Sequence, residues 1–469
     1  MTSPLLEQIE KQLVGGGDRV AFRLGDQVLS WRELDRRAEA LLEGHQGAGL
    51  LPGDRVASRM EASLSLPVAI LAHLRGGFIH VPIAPGLRGS GLEHWLGLTQ
   101  PKVILDSGDW GVENDRAGPP VPMVSDPAWI LSTSGTTAAP KGVLHSHRSL
   151  LAGIGALTAL WDWGPADHQI LALPLFHVHG LGIGVLGAML RGVETTLLPR
   201  FDAESLCQAM TRHSATIFMG VPTMYHRLIA YLEKHPEAAA GFRAARLCTA
   251  GSAALGPDRL AAFEALTGQR ILERYGMSET LITVSNPYAG ERREGSIGKP
   301  LSGVEHRLVD GELQVRGQCL MAGYWQDTAA TQRAWSTDGW FLTGDQVEED
   351  DEGYLYHRGR RSIDWIKSGG WRIGTVQLEE VLCAHPQVKE AAVVGLPDEE
   401  WGELVAAAVV PQDETGLMLS DLAKHVAAQL PAYQQMRRWL LLSALPRNAM
   451  GKVQKAKLAS WEHDWQQLK

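Results

Sequence analysis

Residues 129–147 read WILSTSGTTAAPKGVLHSH, and the reading of this stretch decides the fold. The apolar Trp129-Ile130-Leu131 looks like the end of a buried strand. Ser132, Thr133, Ser134, Gly135, Thr136 and Thr137 follow, then two alanines, then Pro140, Lys141 and Gly142. Small residues let backbone N–H groups approach an anion closely, hydroxyls add donors, and Lys141 adds charge. The loop suits a phosphate, although its spacing is not that of the GxxxxGKS/T loop. A Ser/Thr/Gly run alone reads equally well as a polar surface loop. The Pro-Lys-Gly that follows makes this one specific.

Outward from the loop, the first two-thirds of the chain alternates short apolar runs with amphipathic helical runs. Examples are RVASRM then SLPVAILAHLRGG, HQILALPL then GIGVLGAMLRG, and ATIFMG then TMYHRLIAYLEKH. Repeated strand–helix units of this size predict an α/β fold of parallel sheets covered by helices. After about residue 297 the texture changes. VDGELQVRG carries Asp310-Gly311 between alternating residues, a hairpin signal, and STDGWFLTGD and EGYLYHRGR read as further strands of a β-rich subdomain. From 361 onward a small α+β unit follows: a helix in VQLEEVLCAHP, strands in KEAAVVGLP and ELVAAAVVP, and a helix in LSDLAKHVAAQLP. The expected layout is a large domain over 1–360, a hinge near Gly359–Asp364, and a small domain over 361–469.

Composition narrows the function classes. A chain of 469 residues is longer than one core usually holds, and its 45% apolar content excludes wholesale disorder. Lys plus Arg number 44 against 53 Asp plus Glu, a net charge of −9 with no basic block, so nucleic acid is a poor partner. The four cysteines (Cys207, Cys248, Cys319, Cys383) form no CxxC pair, which argues against a zinc cluster and suits a reducing cytoplasm. The opening MTSPLLEQIEKQL reads as an amphipathic helix rather than a signal peptide. LALPLFHVHGLGIGVLGAML, 171–190, has the length of a bilayer span, but Pro174, His177, His179 and its glycines make it a buried strand, a histidine loop and a Gly-rich helix start. No membrane association and a cytoplasmic location are the resulting expectations.

STSGTTAAPKG resembles the phosphate-binding signature of the adenylate-forming superfamily: acyl-CoA synthetases, luciferases and peptide-synthetase adenylation domains. Four further matches occur in the family's order. Tyr275-Gly276-Met277-Ser278-Glu279-Thr280 fits Tyr-Gly-x-Ser/Thr-Glu-Thr/Ser, Thr343-Gly344-Asp345 fits Thr-Gly-Asp, Gly359-Arg360 fits the hinge pair, and Gly451-Lys452-Val453-Gln454-Lys455 fits Gly-Lys-x-x-Lys.

The resemblance implies an acid activated by ATP, with pyrophosphate leaving from a charge-rich phosphorus. It implies that Ser132–Thr137 and Lys141 hold the β- and γ-phosphates, that Glu279 binds Mg²⁺, and that Thr280 contacts the α-phosphate. Tyr275, Gly276 and the segment Gly251-Ser252-Ala253 would border the adenine, and Asp345 and Arg360 the ribose. Lys452 would reach the α-phosphate and the carboxylate as the main catalytic group. His177 would border the acyl pocket. After adenylation, the small domain would turn and bring Lys367-Ser368-Gly369-Gly370 toward coenzyme A. The hinge string GRRSIDWIKSGG is one residue longer than in many relatives, and AYQQMRRW lacks a Lys-x-Pro common in the family.

Four strings, LERYGMSET, SNPYAGERREGSIGKPLSGV, LPLFHVHGLGIGVLGAMLRG and LPRNAMGKVQK, resemble malonyl-CoA synthetases. A dicarboxylate needs one carboxylate free to react and the other held by a cation. Arg292 is expected to supply that cation, with immediate rival Arg293, and Ser285 a hydrogen bond. Malonate is the expected acid, and methylmalonate also fits. The open alternatives are another small or aromatic acid, a carrier-protein acceptor in place of CoA, and a nucleotide sensor without turnover. Monomer and homodimer stay equally open.

Overall fold

The computed structural model describes residues 3–106, 126–133, 140–251, 255–360, 364–369, 371–413, 417–448, 451–461 and 465–467. The chain divides into two compact units. The first comprises 1–135, 139–306 and 315–341, and the second 136–138, 307–314 and 342–469.

Among the described residues, the first unit holds a nine-stranded and a six-stranded sheet. The centre of the larger sheet is parallel. Strand Glu194–Leu197 pairs with His168–Leu171, then follow Ile217–Gly220, Leu247–Ala250 and Ile271–Met277. Ile217–Gly220 and Leu247–Ala250 are buried at every position, as parallel strands between helical layers should be. The helix Ala203–Arg212 buries Leu206, Cys207, Ala209 and Met210, and its start is capped by Asp202, which accepts from the Ser205 N–H at 2.8 Å. Behind the sheet, Phe218, Tyr225, Phe242 and Phe263 pack edge to face. The Tyr225 hydroxyl donates to the Thr249 carbonyl at 2.9 Å. His177, Gly251 and the 278–280 turn all follow the carboxyl ends of strands in this sheet, where parallel sheets offer ligand crevices.

The apolar stretch 171–190 does contain a strand end, but the helix that follows is not α at first. Val178–Leu186 is π-helical, becoming α at Gly187–Arg191. Glycines allow the wide turn to lie against its own strand. A Cβ on Gly180 would stand 2.3 Å from the Pro174 carbonyl oxygen, and one on Gly184 2.6 Å from Leu171. No helix of the described residues is long and apolar enough to cross a membrane.

In the second unit, Phe341–Glu349 runs antiparallel to Leu355–Arg360. Asp310 and Gly311 both take positive φ, 50° and 75°, the hairpin turn expected from the sequence. Downstream, Gly402–Pro411 is the central strand, flanked by Val388–Asp398 and by Trp365–Ser368 and Arg438–Leu441. Its alternate residues face two cores. Val405, Ala407 and Val409 pack with the helices Thr375–Cys383 and Leu419–Gln429, and Ala406, Ala408 and Val410 with Leu440, Leu445 and Leu458. Of the tryptophans, Trp31, Trp95, Trp129, Trp161 and Trp439 are fully buried, so packing explains these five.

Buried histidines give the fold an acid limit. His73 and His80 touch through their Nδ1 atoms at 2.9 Å, and His80 Nε2 meets Ser58 Oγ at 3.1 Å. Burial pushes His80 down to about 3, His145 to about 4, and His73 well below its ordinary value. The unfolded chain therefore binds protons below about pH 6.5 that the folded chain refuses, and stability falls as pH drops through that range. Each such histidine costs about 1 kcal/mol by pH 5.5. Thermal unfolding scans should show Tm falling by several degrees between pH 7.5 and 5.5, a range in which carboxylates with ordinary pKa values contribute little. A flat profile would contradict this.

Candidate active site

The Gly/Ser/Thr loop is the connection of an antiparallel hairpin. Pro127–Ser132 pairs with Gly142–Ser146, Ser132 standing opposite Gly142. The base is closed twice: the Thr133 N–H donates to the Lys141 carbonyl at 3.0 Å, and the Lys141 N–H to Thr133 Oγ1 at 3.0 Å. Gly142 has no room for a side chain, since a Cβ would stand 2.8 Å from Ile130 and 3.1 Å from Trp325. Ser134, Gly135, Thr136 and Thr137 lie outside the described residues, as do Ser252, Ala253 and Gly370.

Glu279 and Thr280 stand in the turn between strands Ile271–Met277 and Leu281–Ser285, not at a helix start. The turn depends on Gly276, where a Cβ would fall 1.9 Å from the Leu281 carbonyl oxygen. Leu281 takes φ 56° to close it. Several contacts fix this turn to the rest of the unit, among them the Met321 N–H donating to the Glu279 carbonyl at 2.8 Å. The buried His145, on the strand after the loop, places Nε2 2.7 Å from the Ser278 carbonyl, with Nδ1 3.0 Å from Ser149 Oγ. Burial keeps this imidazole neutral, so its Nε2–H donates to the carbonyl. Tyr324 donates its hydroxyl to Glu279 Oε1 at 2.9 Å, and the same ring carries the Lys141 ammonium 4.6 Å from its centroid. The loop lysine, the phenol and the carboxylate thus form one row. Thr280 is fully buried, and its hydroxyl has no hydrogen-bond partner.

A second group of buried polar atoms without partners among the described residues comprises His177, His179 and Arg274. His177 precedes the π-helix, against Phe176 at 4.4 Å between ring centroids. Its Nε2 is buried and unpartnered, and burial holds it down to about 4. Both ring nitrogens of His179 are buried and unpartnered. Burial lowers its pKa well below the ordinary value, and the charges of Arg274 and His177 add to the effect. Arg274, one residue before Tyr275, is 5% exposed, with Nε and Nη2 unpartnered among the described residues and its pKa pushed down to about 10 by burial. Its guanidinium occupies the space that a side chain at 251 would need, a Cβ there falling 2.4 Å from its central carbon. A buried guanidinium short of acceptors is costly unless something else completes it.

Motif reading did not single out Arg274. The signal was present, an arginine in LERYGMSET, but its burial depends on Gly251, distant in sequence. The two residues expected to hold the acid are engaged otherwise. Arg292 donates to the carbonyls of Arg270 at 2.8 Å, Tyr288 at 3.1 Å and Pro287 at 3.3 Å. Ser285 Oγ accepts from Trp161 Nε1 at 3.1 Å and donates to the Asn286 carbonyl at 2.8 Å.

The second unit gathers three of the expected residues. Asp345, 5% exposed, accepts from Arg360 Nε at 3.0 Å across the strand pair. Thr343 shapes this end: its hydroxyl donates to the Leu313 carbonyl at 2.6 Å and accepts from the Asp345 N–H at 3.1 Å. Lys452 lies within reach of both charges. Crowding by protein, then Arg360, lower its pKa, while Asp345 and Asp364 oppose the shift. Its side chain is nevertheless open to water. Lys367, exposed, and Ser368, buried, end the strand Trp365–Ser368, and the Lys367 N–H donates to Glu403 at 2.6 Å. Gly369, at φ 55°, lies where a Cβ would press within 2.7 Å of the Trp401 ring.

Residues 9–325 match the family model for AMP-binding enzymes, and residues 377–452 that for the AMP-binding enzyme C-terminal domain. The chain belongs to the AMP-binding enzyme family. It is 31% identical to the malonate–CoA ligase of Homo sapiens over 95% of this chain and 90% of that one. It is 37% identical to a sulfoacetate–CoA ligase of Cupriavidus necator over 74% of this chain and 69% of that one. The crystal structure of ATP-bound MatB from Rhodopseudomonas palustris superposes with a TM-score of 0.90, at 30% identity, over 98% of both chains.

The contact through His145 should matter for nucleotide binding. Removing one buried hydrogen bond and its packing costs about 1–3 kcal/mol, and here that cost falls on the position of Glu279 and Thr280. His145→Ala should weaken ATP binding about tenfold by calorimetry in the presence of Mg²⁺. Unchanged affinity would show that the turn holds its shape without the imidazole.

Proposed function

We propose that the chain converts malonate, ATP and CoA to malonyl-CoA, AMP and pyrophosphate by way of malonyl-AMP. It is an AMP-forming acid–CoA ligase. The observation that carries the choice of acid is Arg274: a buried guanidinium with two nitrogens unpartnered among the described residues, near the neutral His179, on the strand that leads into the turn bearing Glu279 and Thr280. A second anionic group on the substrate supplies the acceptors that Arg274 lacks, in the bidentate fashion suited to a guanidinium. Both ligases above are named for short acids with two anionic groups.

In the first step, one carboxylate oxygen attacks the α-phosphorus and pyrophosphate leaves. Lys141 and the hydroxyl-rich loop neutralise the outer phosphates, Thr280 donates its free hydroxyl to the α-phosphate, and Asp345 accepts from the ribose hydroxyls beside Arg360. Tyr275 and Gly251 border the adenine. Lys452 stabilises charge on the attacking and α-phosphate oxygens. Glu279 fits Mg²⁺, which takes one or two carboxylates and completes its shell with phosphates and water. The bound ion would offset phosphate charge. In the second step, the CoA thiolate attacks the carbonyl carbon and AMP leaves, with the Lys367–Gly369 turn admitting the thin pantetheine chain. His177, held neutral by burial, adds no charge beside the reacting carboxylate and can donate a hydrogen bond to it. Methylmalonate also fits, one methyl being worth about 1–3 kcal/mol. Sulfoacetate is the second reading, because a guanidinium accepts a sulfonate equally well.

The test is pyrophosphate release with a panel of malonate, methylmalonate, sulfoacetate, acetate, butyrate and benzoate, with and without CoA. Malonate should lead, and the CoA-dependent product should be malonyl-CoA by mass spectrometry. Arg274→Met should lower kcat/KM for malonate by 30-fold or more, the cost of unpairing a buried carboxylate, about 2–5 kcal/mol, and leave acetate near its wild-type rate. Arg292→Ala should leave the ranking of acids intact. A wild-type preference for monocarboxylates, or an Arg274→Met enzyme that still favours malonate, would refute the reading.

A further inference from the structure

The second lysine of the Gly451–Lys455 motif has so far carried no function. Lys455 is mostly buried, and its ammonium meets Asp364 Oδ1, Glu379 Oε1 at 2.7 Å and Thr375 Oγ1 at 2.7 Å. These carboxylates are not idle partners. Asp364 Oδ2 accepts from the Arg360 N–H at 2.8 Å, and the Asp364 N–H donates to the Arg360 carbonyl at 2.7 Å. Glu379 accepts from the Val393 N–H at 2.7 Å, which ties the helix Thr375–Cys383 to the strand Val388–Asp398. A continuous path therefore runs from Lys455 through Asp364 to the Arg360 backbone, and on through the Arg360 guanidinium to Asp345.

Lys452 lies three residues before Lys455, which opens the helix Lys455–Ala459. Asn448 Oδ1 accepts from the Lys452 N–H at 3.0 Å, the Asn448 N–H donates to the Lys452 carbonyl at 2.9 Å, and Arg447 bridges to Val453. One flank is held by Arg447 on Glu390 at 3.0 Å, the other by Lys455. Neither Asp364 nor Glu379 can leave without stranding a buried charge, which makes the anchor stiff.

We propose that Lys455 is a positioning residue: with Asp364 it forms a strut that sets Lys452 at the Asp345–Arg360 pair, and so acts in acyl-adenylate formation but not in transfer to the thiol. The inference rests on the reaction proposed above. Lys455 itself touches no reactant.

The experiment compares Lys455→Met, Lys455→Arg and the double variant Asp364→Asn/Lys455→Met in the full chain. Malonate-dependent exchange of labelled pyrophosphate into ATP reads the first step, and conversion of synthetic malonyl-AMP by CoA reads the second. Lys455→Met should lower exchange by 30-fold or more and leave the second step within threefold of wild type. Lys455→Arg should recover much of the exchange. The double variant removes the Lys455–Asp364 pair and leaves Glu379 as the single variant does, and it should lose no more exchange than Lys455→Met, because the strut breaks once. Amide hydrogen exchange supplies a readout free of catalysis, and the amides of 451–454 should lose protection in Lys455→Met. Unchanged protection there, undiminished pyrophosphate exchange, or equal loss in both steps would overturn the proposal. A wild-type enzyme without malonate-dependent exchange would instead defeat the malonate reading, and amide protection would still decide the strut.

Discussion

The hairpin of residues 271–285 closes only because residue 276 has no side chain. With the Leu281 carbonyl 1.9 Å from where a Cβ would be, no other residue allows the two strands this approach. Everything the first unit offers to a reaction hangs on that closure. It puts Glu279 under the Tyr324 hydroxyl and the Ser278 carbonyl on His145. It leaves the Thr280 hydroxyl buried and free, and it holds Arg274 on the strand below. A glycine at 251 completes the arrangement by yielding its side-chain volume to the Arg274 guanidinium. The site is thus made by two absent side chains as much as by those present.

Each unit carries its own set of buried charges and polar groups. The first unit holds cations and donors for anions: Lys141, Thr280, Arg274 and neutral histidines. The second holds the pair Asp345–Arg360 and, near it, Lys452, tied to them through Asp364 and Lys455. Neutral histidines matter here. His177 is pushed down to about 4 and His179 well below its ordinary value, so at neutral pH they add hydrogen-bond capacity without charge. The positive charge in that group is left to Arg274.

Much of this was legible in the sequence because it is local. The alternation of apolar runs and helices gave the α/β fold, and Asp310-Gly311 announced its hairpin. The glycine, hydroxyl and charge motifs marked their own turns. What escaped was non-local. Arg274 reads as an ordinary residue on a strand, and only packing against Gly251 shows that it is buried without acceptors. Arg292 is an arginine in a polar loop that carries no mark in the sequence of the three backbone carbonyls to which it donates. The π-helix after His177 was hidden for a related reason: its glycines promise close packing, but not the wider turn that packing selects. Lys455 likewise gains its meaning from Asp364 and Glu379, which belong to other elements.

The central claim is that a carboxylate oxygen of malonate becomes bonded to the α-phosphorus of ATP. Turnover with malonate labelled with ¹⁸O in its carboxylates, and mass spectrometry of the products, tests it directly. Thiol attack breaks the carbonyl carbon–oxygen bond of the adenylate, so the account predicts one ¹⁸O atom in each AMP and none in pyrophosphate. Unlabelled AMP, or label appearing in orthophosphate, would contradict it.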